Sequence, residues 1–151
     1  MFRSVSFCFA MIAATALSAQ EVTSDVTASL QEIVLGADGV DLAEFKWQKR
    51  PLIVFAESPA DPRFVQQMEF ITAELEELSD RDVVVLTDTD PSLKTALRRK
   101  LHPRGFMLAL VGKDGTIKLR KPVPWDVREL SRVIDKMPMR QQEVRDRRGD
   151  S

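Results

Sequence analysis

A chain of 151 residues that is 44% hydrophobic and 30% charged can build one compact core but not two ordinary domains. Its 22 basic and 23 acidic residues leave a net charge of −1, so the overall balance carries no nucleic-acid footprint. With Cys8 as the only cysteine, a disulfide scaffold within the chain is excluded.

Met1-Phe2-Arg3 sets one positive charge ahead of an apolar run from Val5 to Leu17, and small residues follow at Ser18 and Ala19. This is the layout of a secretory signal, expected over residues 1–19 with cleavage after Ala19. Cleavage after Ala16, behind Ala14-Thr15-Ala16, is the alternative. The run is too short and too rich in Ala and Ser to span a bilayer securely. Cys8 lies too early to serve a lipid-attachment box and departs with the leader, as does Arg3. The 22 basic residues then fall to 21 against 23 acidic ones, a charge of −2. The expected location is periplasmic or secreted. The cysteine-free remainder has no thiol chemistry, and its stability rests on its core and its backbone hydrogen bonds.

Residues 20–40 are polar and weakly patterned, with Gly36 and Gly39 interrupting a short apolar series, and are expected to form a flexible N-terminal arm. Leu52-Ile53-Val54-Phe55-Ala56, bounded by Pro51 and Pro59, suits a strand buried on both faces. Phe64, Met68, Ile71, Leu75 and Leu78 follow at helical spacing, with Asp61 as cap and Pro62 in the first turn. Val83 to Leu86 repeats the buried-strand signature, which makes a parallel βαβ unit. Asp90-Pro91 repeats the cap-plus-proline start ahead of a helix carrying Leu93, Leu97 and Leu101, ended by His102-Pro103-Arg104-Gly105. Phe106 to Val111 and Thr116 to Lys121 flank the turn Gly112-Lys113-Asp114-Gly115 as a hairpin whose second strand alternates like a solvated edge. Asp126 and Glu129 stand in capping-box spacing before a helix with Val127, Leu130, Val133, Ile134 and Met137 inward, and Pro138 ends or kinks it. Residues 140–151 are charged and nearly devoid of apolar groups, so a disordered tail or a frayed helix is expected there.

The resulting order over residues 41–139 is βαβ, helix, β-hairpin, helix: an α/β domain with a mixed four-stranded sheet flanked by helices. It is the order of a thioredoxin-like fold.

Phe45-Lys46-Trp47-Gln48-Lys49-Arg50-Pro51-Leu52, Arg104-Gly105-Phe106, and Gly112-Lys113-Asp114-Gly115 with Lys118 and Arg120 carry a resemblance. Together they resemble an uncharacterised thioredoxin-like domain family, a domain of unknown function. That family occurs alone in exported bacterial proteins and at the C-terminus of vertebrate sushi-repeat-containing extracellular proteins. The resemblance implies the fold and export and brings no activity with it. Where redox thioredoxins place a Cys-x-x-Cys pair at a helix start, this chain has Ala60-Asp61-Pro62-Arg63, and the usual cis-proline before the third strand is replaced near Phe106.

Glu57, Asp61, Asp88 and Asp90 are expected at the carboxyl ends of two parallel strands, where α/β sheets bind ligands and where carboxylates can hold Mg²⁺ or Ca²⁺. Helix capping by Asp61 and Asp90 is the simpler role. Lys94, Arg98, Arg99, Lys100, His102 and Arg104 form a basic cluster that the hairpin cations extend, opposite an acidic first helix. Such a surface either steers an anionic partner or is solvated. The lone His102 suits a helix C-terminus, and Trp47 and Trp125 suit the ends of the core, Trp125 also a peptide groove.

The expected function is a non-enzymatic binding module of the cell envelope that needs no cofactor. Its candidate surface comprises Asp61, Arg63, Arg98, Arg99, Arg104 and Trp125. The expected partner is an envelope protein or an anionic ligand, with neither nucleic acid nor stable membrane insertion. The competing expectation is a divalent-metal-dependent hydrolase using Glu57, Asp61, Asp88 and Asp90.

Overall fold

The computed structural model describes residues 33–149; the expected signal segment, most of the expected arm and the last two residues lie outside them. Five strands form one sheet in the order β1-β3-β2-β4-β5: β1 Val34–Gly36, β2 Arg50–Phe55, β3 Val83–Asp88, β4 Met107–Val111 and β5 Ile117–Lys121. β1 and β2 run parallel to β3, β4 runs antiparallel to β2, and β5 antiparallel to β4. This mixed sheet, with a βαβ unit leading into an antiparallel hairpin, is thioredoxin-like.

β2 is central because every one of its residues is buried. Side chains of a strand alternate between faces, so Leu52 and Val54 enter one core while Ile53 and Phe55 enter the other. The first core takes Ile71, Leu78, Val127, Leu130 and Ile134 from the helices α1 (Pro62–Ala73), α2 (Leu75–Ser79) and α4 (Val127–Asp135). The second takes Leu97 and Leu101 from α3 (Ala96–Leu101).

Several sequence expectations change in detail. The sheet has a fifth strand, because Val34–Gly36, inside the expected arm, pairs with Val85 to Thr87. The first helix is two: the backbone breaks at Glu74, at φ −133° and ψ 43°, while the apolar spacing continues across the break. Asp90-Pro91 opens only a 3₁₀ turn, Pro91–Leu93, which Lys94 ends in the left-handed region at φ 45°. α3 then starts afresh under Thr95, whose hydroxyl accepts from the Arg98 N–H at 3.1 Å, and Leu93 stays outside at 54% exposure. Asp126 caps α4 through the Arg128 N–H at 2.7 Å, while Glu129 pairs with Arg132 instead of closing a capping box. Trp47 does not close the core. It sits at φ 67° and 61% exposure, its N–H bonded to the Lys113 carbonyl at 2.7 Å.

The tail, expected to be disordered or a frayed helix, is helical and docked. Pro138 begins a helix, α5 (Pro138–Gly149), that returns to the body. Its Glu143 accepts from Arg50 Nη2 at 2.8 Å and lies 2.9 Å from Lys113 Nζ. Arg50 is 1% exposed and also donates to the Arg81 carbonyl at 2.8 Å, so the charge that heads the central strand is neutralised from 93 residues away. A charge this deeply buried needs such a partner. Among the described residues, no helix is long and apolar enough to cross a membrane.

Candidate functional site

The carboxyl end of β2 leads into Ala56 to Ala60 and then α1, the place the sequence reading marked for ligands. Asp61 caps α1 through the Arg63 N–H at 2.9 Å, and its carboxylate also accepts from Arg63 Nε at 3.2 Å and Nη2 at 3.0 Å. That side-chain bonding from Arg63 is the main reason the Asp61 carboxyl lies below its ordinary range. The Arg63 guanidinium lies 5.6 Å from the centre of the buried Phe106 ring. Gly105 beside it takes the left-handed φ of +66° that favours glycine, and a Cβ there would stand in ordinary contact with Arg63 Nη2, at 3.9 Å. The spot that carries a reactive thiol pair in redox thioredoxins therefore holds a carboxylate–guanidinium pair laid over an aromatic ring. A shallow depression of about 430 Å³ lies beside it, lined by Glu57, Ser58 and Ala60 to Arg63.

The structure separates the other candidates. Arg98 turns inward: its Nε donates to Asp88 Oδ1 at 2.8 Å, and its Nη2 donates to the carbonyls of Ala56 at 2.6 Å and Asp88 at 3.1 Å. Thr95 donates to the other Asp88 oxygen at 2.6 Å. Arg98 thus clamps the ends of β2 and β3 to α3 and is a structural residue. Asp88 has both oxygens engaged, Asp90 caps the 3₁₀ turn through Ser92, and Asp61 is held by Arg63. Among the described residues, no three acidic, histidine or cysteine side chains are gathered to hold a metal. Arg99 turns back to the Lys94 carbonyl at 2.8 Å.

Arg104 does face a site. A concave shelf of about 260 Å³ is lined by His102, Arg104, Phe106, Arg120, Lys121 and Pro122, with Met107 beneath. Each basic group has a local reason for its position. His102 ends α3 in the left-handed conformation at φ 50°, its N–H bonded to the Arg98 carbonyl at 2.9 Å. Arg120 on β5 donates to the Leu101 carbonyl at 2.9 Å, tying the hairpin to the end of α3. Lys121 Nζ lies 4.4 Å from the centre of the Trp125 ring. Arg104 has no hydrogen-bond or ion-pair partner among the described residues. Among the described residues no carboxylate lines the shelf, so its cationic field is uncompensated within that lining.

Trp125 packs half-buried against the core. Its backbone is held by Gln67, which is fully buried, accepts the Trp125 N–H at 2.8 Å and donates to its carbonyl at 3.0 Å. Sequence reasoning missed Gln67. The available signal was an amide on the inward face of the first helix, one turn before Ile71.

Two solved structures with a similar chain path show how far likeness extends. The mitochondrial 2-Cys peroxiredoxin from Plasmodium falciparum is 18% identical, with a TM-score of 0.46 over 64% of this chain and 79% of that one. The reduced desulfothioredoxin from Desulfovibrio vulgaris Hildenborough is 14% identical, with a TM-score of 0.49 over 65% of this chain and 90% of that one. Residues 41–143 match a family described as a domain of unknown function, DUF4174, a span that runs from the cap before the first 3₁₀ turn to Glu143 in α5. The chain belongs to the DUF4174 family.

Proposed function

We propose that this domain is a thiol-free binding module of the cell envelope. It holds an anionic ligand, or the acidic face of an envelope protein, on the shelf formed by His102, Arg104, Arg120 and Lys121. One observation carries the reading: three cations and a histidine converge on one concavity that no carboxylate lines, in a chain whose net charge is −1. Attraction of an anion there is a local property of the fold rather than of the composition. The half-buried Met107 and the exposed Pro122 add apolar lining beside the charges. Placement in the envelope rests on the signal-like first 19 residues. The metal-dependent hydrolase has no comparable support, since three of its four carboxylates, Asp61, Asp88 and Asp90, are engaged by different partners.

Trp125 supplies the readout because Lys121 lies against its ring. In a Trp47→Phe background, titration with oligoglutamate is expected to change Trp125 emission saturably as Lys121 turns to the anion. Arg104→Glu combined with Lys121→Glu is expected to abolish that change while the far-ultraviolet circular dichroism stays the same. An unaltered titration curve in the double variant would sink the proposal.

A further inference from the structure

We propose that the groove between α2, α4 and α5 is a separate site for a tetrahedral oxyanion of the phosphate class. It lies at the opposite end of the sheet from the shelf. Arg81 precedes the start of β3, whereas Arg104 precedes β4, whose Met107 pairs with the last residue of β2. The groove measures about 480 Å³, and its lining includes Arg81, Arg140, Arg145 and Arg148 against a single carboxylate, Asp135.

Asp135 is already spent on Arg81, whose Nε and Nη2 donate to its two oxygens at 3.0 and 2.9 Å. Arg140 is the group left short. It is 7% exposed, its Nε has no hydrogen-bond partner among the described residues, and that atom stands 3.6 Å from the nearest Asp135 oxygen. Its Nη1 reaches Glu143 Oε2 only at 3.5 Å, while the other Glu143 oxygen is taken by Arg50 and Lys113. A guanidinium has five donors, and buried polar groups are normally satisfied. A buried arginine with this much unused capacity is fitted to an acceptor from outside.

Arg145 and Arg148 stand one helical turn apart on the rim, both exposed, and among the described residues Arg145 has only Gln142 as a partner. The groove lining thus joins the buried guanidinium of Arg140 to the exposed ones of Arg145 and Arg148. That suits an anion with three or more oxygens better than a planar carboxylate, and the planar fork is the side chain matched to phosphate.

The test is an amide-resolved NMR titration and a thermal melt of the protein with inorganic phosphate, against chloride at equal ionic strength. Phosphate is expected to raise the melting temperature and to shift amides between residues 135 and 148. Arg145→Ala with Arg148→Ala, both surface changes, is expected to weaken phosphate binding about tenfold or more. Arg140→Lys, which keeps the charge and loses the fork, is expected to weaken it as well, and Arg104→Glu, a change on the shelf, to leave the phosphate-induced shifts of amides 135–148 unchanged. A vesicle arm identifies the source of the phosphate. Co-sedimentation with phosphatidic acid vesicles but not with phosphatidylcholine, lost in the double variant, assigns a lipid headgroup. Binding of free phosphate without co-sedimentation assigns a soluble phospho-ligand. The proposal is overturned if phosphate protects no better than chloride, or protects the Arg145→Ala, Arg148→Ala protein as well as the parent.

Discussion

Replacing Glu143 by Ala tests whether the last helix is structural. The substitution strips the counter-charge from Arg50, which is 1% exposed, and from Lys113, whose ammonium lies 2.9 Å from the same carboxylate oxygen. Breaking a buried ion pair from one side costs about 3–5 kcal/mol, because the remaining charge stays buried. The Glu143 side chain is 21% exposed and Lys113 keeps Asp82 at 2.8 Å, so the lower end, about 3 kcal/mol, applies here. For a domain of this size that corresponds to a melting temperature lower by roughly 10 °C. The same quantity follows from titration. Burial pushes the Glu143 carboxyl up, but the bonds from Arg50 and Lys113 outweigh it and bring it down to about 2 from an ordinary 4.5. A depression of that size is worth roughly 3 kcal/mol. Urea unfolding of parent, Glu143→Ala and an Arg50→Met, Glu143→Leu double variant supplies the assay. The double variant should recover to within about 1 kcal/mol of the parent, since an apolar pair replaces the ionic one. A loss below about 1 kcal/mol in the single variant would refute the argument, as would a double variant no better than the single.

Three further outcomes are expected. Stability should be flat above about pH 4.5 and fall as pH drops towards 2. Glu143 and Asp114, the latter held at about 2 chiefly by Lys118, have lowered carboxyls whose contribution is complete above their ordinary values and lost through their folded ones; a pH series of urea midpoints checks this. Arg98→Ala should cost about 3 kcal/mol by orphaning Asp88, whereas Arg99→Ala should stay within about 0.5 kcal/mol, a contrast read by thermal melts. Gln67→Leu should cost about 2 kcal/mol, since it strands a part-buried backbone donor and acceptor, and hydrogen exchange at Trp125 should rise with it.

The βαβ unit and the hairpin were legible because continuous apolar runs report strands buried on both faces, and such runs mark β2, β3 and β4. β1 was not, because three residues ending in glycine inside a polar stretch gain their strand character only from pairing with β3. The break at Glu74 was hidden by apolar spacing that continues through it. Lys94 and Thr95 defeated the start expected at Asp90, since a left-handed residue followed by a threonine cap ends one turn and opens another. Of the candidate surface, Arg104 lines the shelf and Trp125 lies against Lys121, while Arg98 is taken by Asp88, an ion pair that the basic run around it concealed. Arg50 was visible as a charge at the head of an apolar strand, but no local rule leads from it to Glu143.

That long reach bears on how the chain is made. Translation delivers β2 early, and its first residue waits, uncompensated, until residue 143 has emerged and α5 can swing back across the end of the sheet. A chain that stops between residues 121 and 143 holds every strand yet leaves Arg50 without the carboxylate that neutralises it. The arginine therefore makes the strand synthesised early depend for its charge balance on the helix synthesised late.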